Sequence, residues 1–354
     1  MNILFLPKYT NLGASSRLRI FQYIPYLEKS GISVTILPLF PDNYILDLQR
    51  NKRNIILIIK SYIKRVFLLR DVKKYDLLWI EKELFPWLPV WVEKLILGSN
   101  TNYSIDFDDA VFYFYDFHVN PIIRKFLLNK HKILMENASL VTVGNKYLLE
   151  YAKLSNAKKL EIIPTVVDLD NYYKYKKKDN DILRVGWIGQ YSSGKFLLNL
   201  NPLFKKMTQR GGVKFIAIGI DASDFDLCMD CIQWSEKDEV NLLNTIDIGI
   251  MPLTDGLFER GKCGYKLIQY MACCLPVVAS PIGINKQLVI DGYNGFLANS
   301  EIEWENALNS LIKDKNLRVK MGENGRAMIE RNYSLKNTAP VVENLLIDAV
   351  KNYY

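Results

Sequence analysis

The most constraining feature of this chain is a rhythm. Short apolar runs of strand length alternate with longer stretches of helical periodicity, and the series runs through twice. The first series is Asn2–Pro7, Ser33–Pro38, Leu77–Ile80, Tyr103–Asp106, Leu140–Val143 and Glu161–Ile163. The second is Arg184–Ile188, Val213–Gly219, Ile246–Met251, Pro276–Ala279 and Phe296–Ala298. Apolar strands separated by helices are covered on both faces in a parallel sheet, so two α/β domains of Rossmann type are expected. At 354 residues and 49% hydrophobic, the chain can supply each with a core. No period of roughly 20–50 residues recurs, which excludes solenoids and propellers.

The series breaks at Pro164–Asp181, where three consecutive lysines and a polar run read as a linker. The expected organisation is a first domain over 1–168, a linker over 169–181 and a second domain over 182–335. An amphipathic helix with a serine cap signal closes the chain. The longest uncharged apolar stretch, Leu84–Val92, contains two prolines and falls far short of the ~20 residues that span a bilayer. Met1–Leu6 lacks the basic flank and cleavage site of a signal peptide. Cys228, Cys231, Cys263, Cys273 and Cys274 are an odd, clustered set unlike a disulfide framework. A cytoplasmic location is expected.

In such sheets, ligands sit beyond the carboxyl ends of the strands, so the strand-to-helix turns carry the chemistry. The first turn brings Gly13, Ala14, Ser15, Ser16 and Arg17, either an anion-binding loop or an ordinary glycine loop with a capping serine. It is not the G-x-G-x-x-G fingerprint of nicotinamide enzymes. In the second half a strand ends at Gly189 and a Ser-Ser-Gly turn leads to Lys195 at an expected helix start. The spacing excludes a P-loop. The densest constellation, from Asp255 to Ser280, crowds Arg260, Lys262 and Lys266 around the start of a helix near Gly264. The helix dipole disfavours cations there, and an anionic ligand of two or three charges would reconcile them. Asp106 and Asp108 match a D-x-D motif that can hold a divalent metal, or simply cap a helix. His118 and His131 are too few for a zinc triad, and Cys228 and Cys231 form one CxxC without a second pair.

Residues Tyr265–Ala272 with Leu275–Gly283 resemble the donor-binding signature of the family 4 glycosyltransferases, the retaining GT-B group. Asp291–Leu297, Ile163–Asp168 and the Gly13–Arg17 loop resemble further segments of that family, in the same order. The resemblance implies a GT-B fold with two Rossmann-like domains facing a cleft, and a C-terminal helix over 336–354 returning to the first domain. It also implies transfer of a sugar from a nucleotide diphosphate sugar, with retention, without metal or other cofactor, to a glycan or lipid-linked glycan acceptor. Donor binding falls to Gly13, Arg17, Gly189, Lys195, Glu259, Arg260, Lys262, Gly264, Tyr265, Lys266 and Gln269. Catalytic roles fall to Lys195 and Lys266, and to Asp108 and Asp109 beside the reacting sugar. The chain departs from the family where two glutamates are usual, with Gly261 and Gln269 instead, and where a glycine is usual, with Cys274. Those departures leave a second reading open, an inactive glycan- or nucleotide-binding paralogue.

The net charge is +8, and the segment 51–74 carries eight basic residues against Asp71 alone. A local patch of that kind calls for an acidic partner at one place. Its cations are interleaved with aliphatic residues instead of stacking aromatics, which excludes nucleic acid. On a helical wheel Ile55, Ile58, Ile59, Tyr62, Val66 and Leu69 share one face and Arg53, Lys60 and Lys64 the other. That pattern fits an interfacial basic helix or a helix packed on the sheet. A second basic stretch over 122–132 contains Arg124, Lys125, Lys130 and Lys132. Both point to an anionic membrane surface beside the acceptor side of the molecule.

Overall fold

A computed structural model describes residues 1–49, 52–98, 100–173 and 182–353. Residues 174–181 of the expected linker, and Asn51 at the start of the basic segment, lie outside the described residues. The chain divides into two compact units. The first comprises Met1–Thr165, Arg260–Cys263 and Leu335–Tyr354, and the second Val166–Glu259 and Gly264–Ser334.

In the first unit β1 (Asn2–Leu6), β2 (Ser33–Ile36), β3 (Leu77–Glu81), β4 (Tyr103–Phe107), β5 (Leu140–Val143) and β6 (Leu160–Ile162) form one parallel sheet. Its order is β2-β1-β3-β4-β5-β6. The second unit carries β7 (Leu183–Ile188), β8 (Val213–Ile218), β9 (Asp230–Ile232), β10 (Ile248–Met251), β11 (Val277–Ala279) and β12 (Gly295–Leu297). These too are parallel, in the order β12-β11-β10-β7-β8-β9. Strands β3, β4 and β5 are buried at every residue, as expected for a sheet covered on both faces. In each sheet the winding reverses direction once, between β1 and β3 and between β7 and β10. Open α/β sheets bind ligands at such reversals.

Eleven of the twelve strands fall on the apolar runs of the sequence. The exception is β9, an edge strand of one exposed and two half-exposed residues with no periodicity to read. Cys231 lies in it, and among the described residues no group of metal-binding side chains surrounds the CxxC. The terminal helix Leu335–Lys351 packs in the first unit, where Asn102 Nδ2 donates to Ala349 O at 3.0 Å.

The helix Tyr265–Ala272 ends in a residue that explains one departure from the family pattern. Cys274 follows its C-terminal turn with φ of +56°, the left-handed conformation that costs a residue bearing Cβ but not glycine. Cys274→Gly should therefore stabilise the protein by about 1 kcal/mol, read as a higher urea midpoint at unchanged slope.

The basic segments fold differently from the wheel. In the helix Ile55–Leu68 the inward side chains are Ser61, Arg65 and, half-buried, Ile58 and Tyr62, whereas Ile55, Ile59 and Val66 are exposed. Arg65 is not a surface cation. Its guanidinium donates to Pro7 O at 2.8 Å and Leu37 O at 2.5 Å, and burial lowers its pKa to about 9. Lys130 is also inside, 2.7 Å from both Glu83 and Glu93. His131 is a packing residue stacked on Tyr115, as read from the sequence. No helix among the described residues is long and apolar enough to cross a membrane.

Candidate functional site

At the β1/β3 reversal of the first unit, three turns converge. Gly13 caps the helix Ala14–Arg19, and a Cβ there would stand 2.5 Å from Tyr9 Cβ, so only glycine lets the loop close. Ser16 Oγ donates to Glu81 at 2.5 Å, tying this loop to the end of β3. Ser15 donates to Asp108, at the end of β4. Arg17 reaches back to Asn11 O at 3.2 Å. The Ser15 hydroxyl is thus committed to a carboxylate within the protein.

Sequence reasoning missed Lys82. It is buried, adopts φ of +64°, and holds its ammonium 2.7 Å from Asp108 Oδ1 and 3.0 Å from Ser15 Oγ. A lysine in that conformation is strained, a feature that concentrates at functional sites. Burial works to raise the Asp108 pKa, but Lys82 and the Ser15 hydroxyl reverse it and hold the carboxyl below its usual range. Asp108 is therefore an ionised hydrogen-bond acceptor, poorly suited to remove a proton. Asp109 beside it is half-buried. The only sequence signal for Lys82 was three charged residues, Glu81 to Glu83, following a buried strand.

Asp106 does not belong to a metal motif. It is fully buried, and its carboxylate takes Arg19 Nε at 2.8 Å, Arg19 NH2 at 2.6 Å and Thr142 Oγ1 at 2.5 Å. With both oxygens engaged, the pair is a structural element of the sheet.

The segment Arg260–Cys263 belongs to this same unit. Asn145 Nδ2 donates to Gly261 O at 2.9 Å and Lys262 O at 3.2 Å, and Cys263 Sγ to Asp108 O at 2.9 Å. A Cβ at Gly261 would lie 2.6 Å from Ala110 Cβ, which accounts for the missing glutamate at this position. Burial and the nearby Asp108 charge push the Cys263 thiol up to about 12, so it stands as a neutral thiol rather than a reactive thiolate. Arg260 is exposed and Lys262 half-buried. The structure groups both with the first unit and Lys266 with the second.

In the second unit Lys266 lies across the end of β7. Its ammonium is 5.3 Å from the centre of the Trp187 ring, and a Cβ on Gly189 would meet Lys266 Cε at 2.7 Å. Gly189 thus makes room for the lysine at the β7/β10 reversal. Gly264 caps the helix that bears Lys266 with φ of +67° and no side-chain cap. A Cβ there would strike Leu288 at 2.3 Å. Lys195 is exposed above the Phe196 ring. It opens a 3-10 turn, and the helix expected to start there begins at Tyr191. Glu259 folds over Gly256, whose Cβ would lie 2.2 Å from its carboxylate. Gln269 is buried and donates to the Tyr172 hydroxyl at 3.1 Å. That hydroxyl also contacts Tyr265 and Glu239. The sequence could not show that Tyr172, from the expected linker, occupies this amide.

Residues 231–328 match the family model described as glycosyl transferases group 1. An uncharacterized glycosyltransferase of Methanocaldococcus jannaschii is 37% identical over 83 residues, 23% of this chain and 21% of that protein. The capsular polysaccharide biosynthesis glycosyltransferase CapM of Staphylococcus aureus is 26% identical over 222 residues, 58% of this chain and 55% of CapM. The matched segments thus span a fifth to about half the length of these relatives. Among solved structures, sucrose-phosphate synthase from Thermosynechococcus elongatus superposes with a TM-score of 0.74 at 16% identity, covering 98% of both chains. Anabaena HepE in complex with UDP-glucose gives 0.69 at 16%, covering 98% of this chain and 100% of HepE. These likenesses establish the fold, two Rossmann-like domains of GT-B type.

Proposed function

We propose, from the group 1 glycosyl transferase family that residues 231–328 match, that this protein moves a sugar from a nucleotide diphosphate sugar to a glycan or lipid-linked glycan. The reading rests chiefly on Lys266, a cation laid over a glycine at the β7/β10 reversal beside an uncapped helix start. Helix N–H groups and a lysine are what a departing diphosphate requires, since they meet charge as it develops. HepE, of the same fold, has been seen with UDP and with UDP-glucose, which supports a nucleotide donor here. CapM acts in capsular polysaccharide biosynthesis, which supports a surface glycan product.

In this reading Lys195, Arg260, Lys262 and Lys266 neutralise the diphosphate, and Gly13, Arg17, Gly189, Gly264, Tyr265, Glu259 and Gln269 complete the donor site. Asp108, fixed by Lys82 and Ser15, accepts a hydrogen bond from a sugar hydroxyl, with Asp109 beside it. The family resemblance favours retention of configuration. The inactive paralogue keeps some support from Gln269, whose amide is occupied by Tyr172.

Release of UDP, GDP or ADP from a panel of nucleotide sugars tests the proposal. One donor should give release that depends on acceptor, and the rate should survive EDTA because side-chain cations do the work of a metal. Release from no donor would support the paralogue. Loss on chelation, restored by Mn²⁺, would instead give Asp108 and Asp109 a metal to hold.

A further inference from the structure

The helix Ile55–Leu68 is turned inside out relative to an ordinary surface helix. Ser61 and Arg65 face inward at 6% and 3% exposure, while Ile55 and Ile56 stand 68% and 67% exposed. Ile59, Ile63 and Phe67 are each more than half exposed on the same outward side. A helix that only packed on a sheet would place these residues the other way round. Lys60 and Lys64 sit among the isoleucines, and residues 55–70 contain no acid.

The surface continues beyond this helix. Tyr62 donates to Pro86 O at 2.6 Å, and the neighbouring Trp87, 54% exposed, packs its ring 5.7 Å from His118. Around and past His118 the chain exposes Phe117, Ile122 and Phe126 together with Arg124 and Lys125. The helix Val90–Leu97, against the turn Leu69–Lys74, exposes Trp91, Lys94 and Leu95. Its acid is withdrawn, since Glu93 is fully buried against Lys130.

We propose that the first unit docks on an anionic lipid bilayer through this face. Isoleucines and aromatic rings enter the boundary between headgroups and acyl chains, and the interleaved lysines and arginines meet the headgroup phosphates. Charge complementarity favours lipid over a second copy of the chain, because a two-fold contact would set the same lysines against each other. The inference goes beyond sugar transfer and holds independently of it.

Co-sedimentation with vesicles of equal parts phosphatidylglycerol and phosphatidylcholine tests it. Wild type should bind these, ignore pure phosphatidylcholine, and release at high salt. Lys60→Gln with Lys64→Gln should weaken binding about tenfold or more. Ile56→Ser with Ile59→Ser and Ile63→Ser should abolish it, and exposed positions leave the thermal melt unchanged. Nucleotide release without vesicles should be unaffected in both variants, which separates this result from the fate of the transferase reading. No sedimentation with anionic vesicles at low salt, or equal binding by all three proteins, would overturn the proposal. A wild-type dimer by light scattering, lost in the isoleucine variant without any vesicle binding, would assign the face to a second copy instead.

Discussion

Lys266→Ala is expected to lower turnover roughly 10²-fold or more, the scale of losing one donor to a developing oxyanion. The lysine is half-buried, and its contact with Trp187 at 5.3 Å is worth only about 0.5–1 kcal/mol. The thermal melt should therefore hold while kcat falls. Because the charge on the leaving diphosphate grows toward the transition state, the loss should appear in kcat more than in KM. Gly189→Ala offers an independent route to the same result. Its Cβ would need the space of Lys266 Cε, 2.7 Å away, and of the Trp187 ring, 2.5 Å away. Displacing the ammonium without deleting it should also slow turnover. Full activity in both variants would remove the diphosphate from this end of β7.

The largest expected effect on stability is at Arg19. Its guanidinium grips Asp106 with two hydrogen bonds, and both side chains are 1% exposed. Arg19→Leu leaves a carboxylate inside the sheet with, among the described residues, only Thr142 as side-chain partner, a loss of about 3–5 kcal/mol. That is a large part of the ~5–15 kcal/mol that holds a domain folded. Adding Asp106→Leu should restore most of it, because a buried ion pair replaced by apolar side chains is often neutral. Urea unfolding of the two single variants and the double variant gives the coupling directly. Additive effects would mean that the pair contributes little.

The sequence carried the strands because each is a local property, an apolar run between turn signals. It carried the placement of Gly189, Gly264 and Lys266 at strand and helix ends for a similar reason, since turn residues are local signals too. What it could not carry was pairing across long separations. Asp106 and Asp108 read alike as D-x-D, yet Arg19 and Thr142 hold the first inside the sheet while Lys82 and Ser15 hold the second at its edge. The Ile55–Leu68 helix failed differently. Ile55, Ile56, Ile58 and Ile59 are apolar nearly all round, so periodicity fits more than one inward face. Arg65 decides between them by donating to the carbonyls of Pro7 and Leu37, contacts that no helical wheel contains.

A unit assembled from three separated stretches of chain has an order of events built into it. On the ribosome, residues 1–165 emerge first, yet Gly261, Cys263 and the Leu335–Lys351 helix are made much later. Until then Asn145 lacks the carbonyls of Gly261 and Lys262, and Asn102 lacks that of Ala349. The strands of the first sheet must wait with apolar surface uncovered while the contiguous body of the second unit is synthesised, an interval in which chaperones would find a substrate. A fragment cut at residue 165 should carry the same exposed surface permanently, and it should aggregate where the full chain does not.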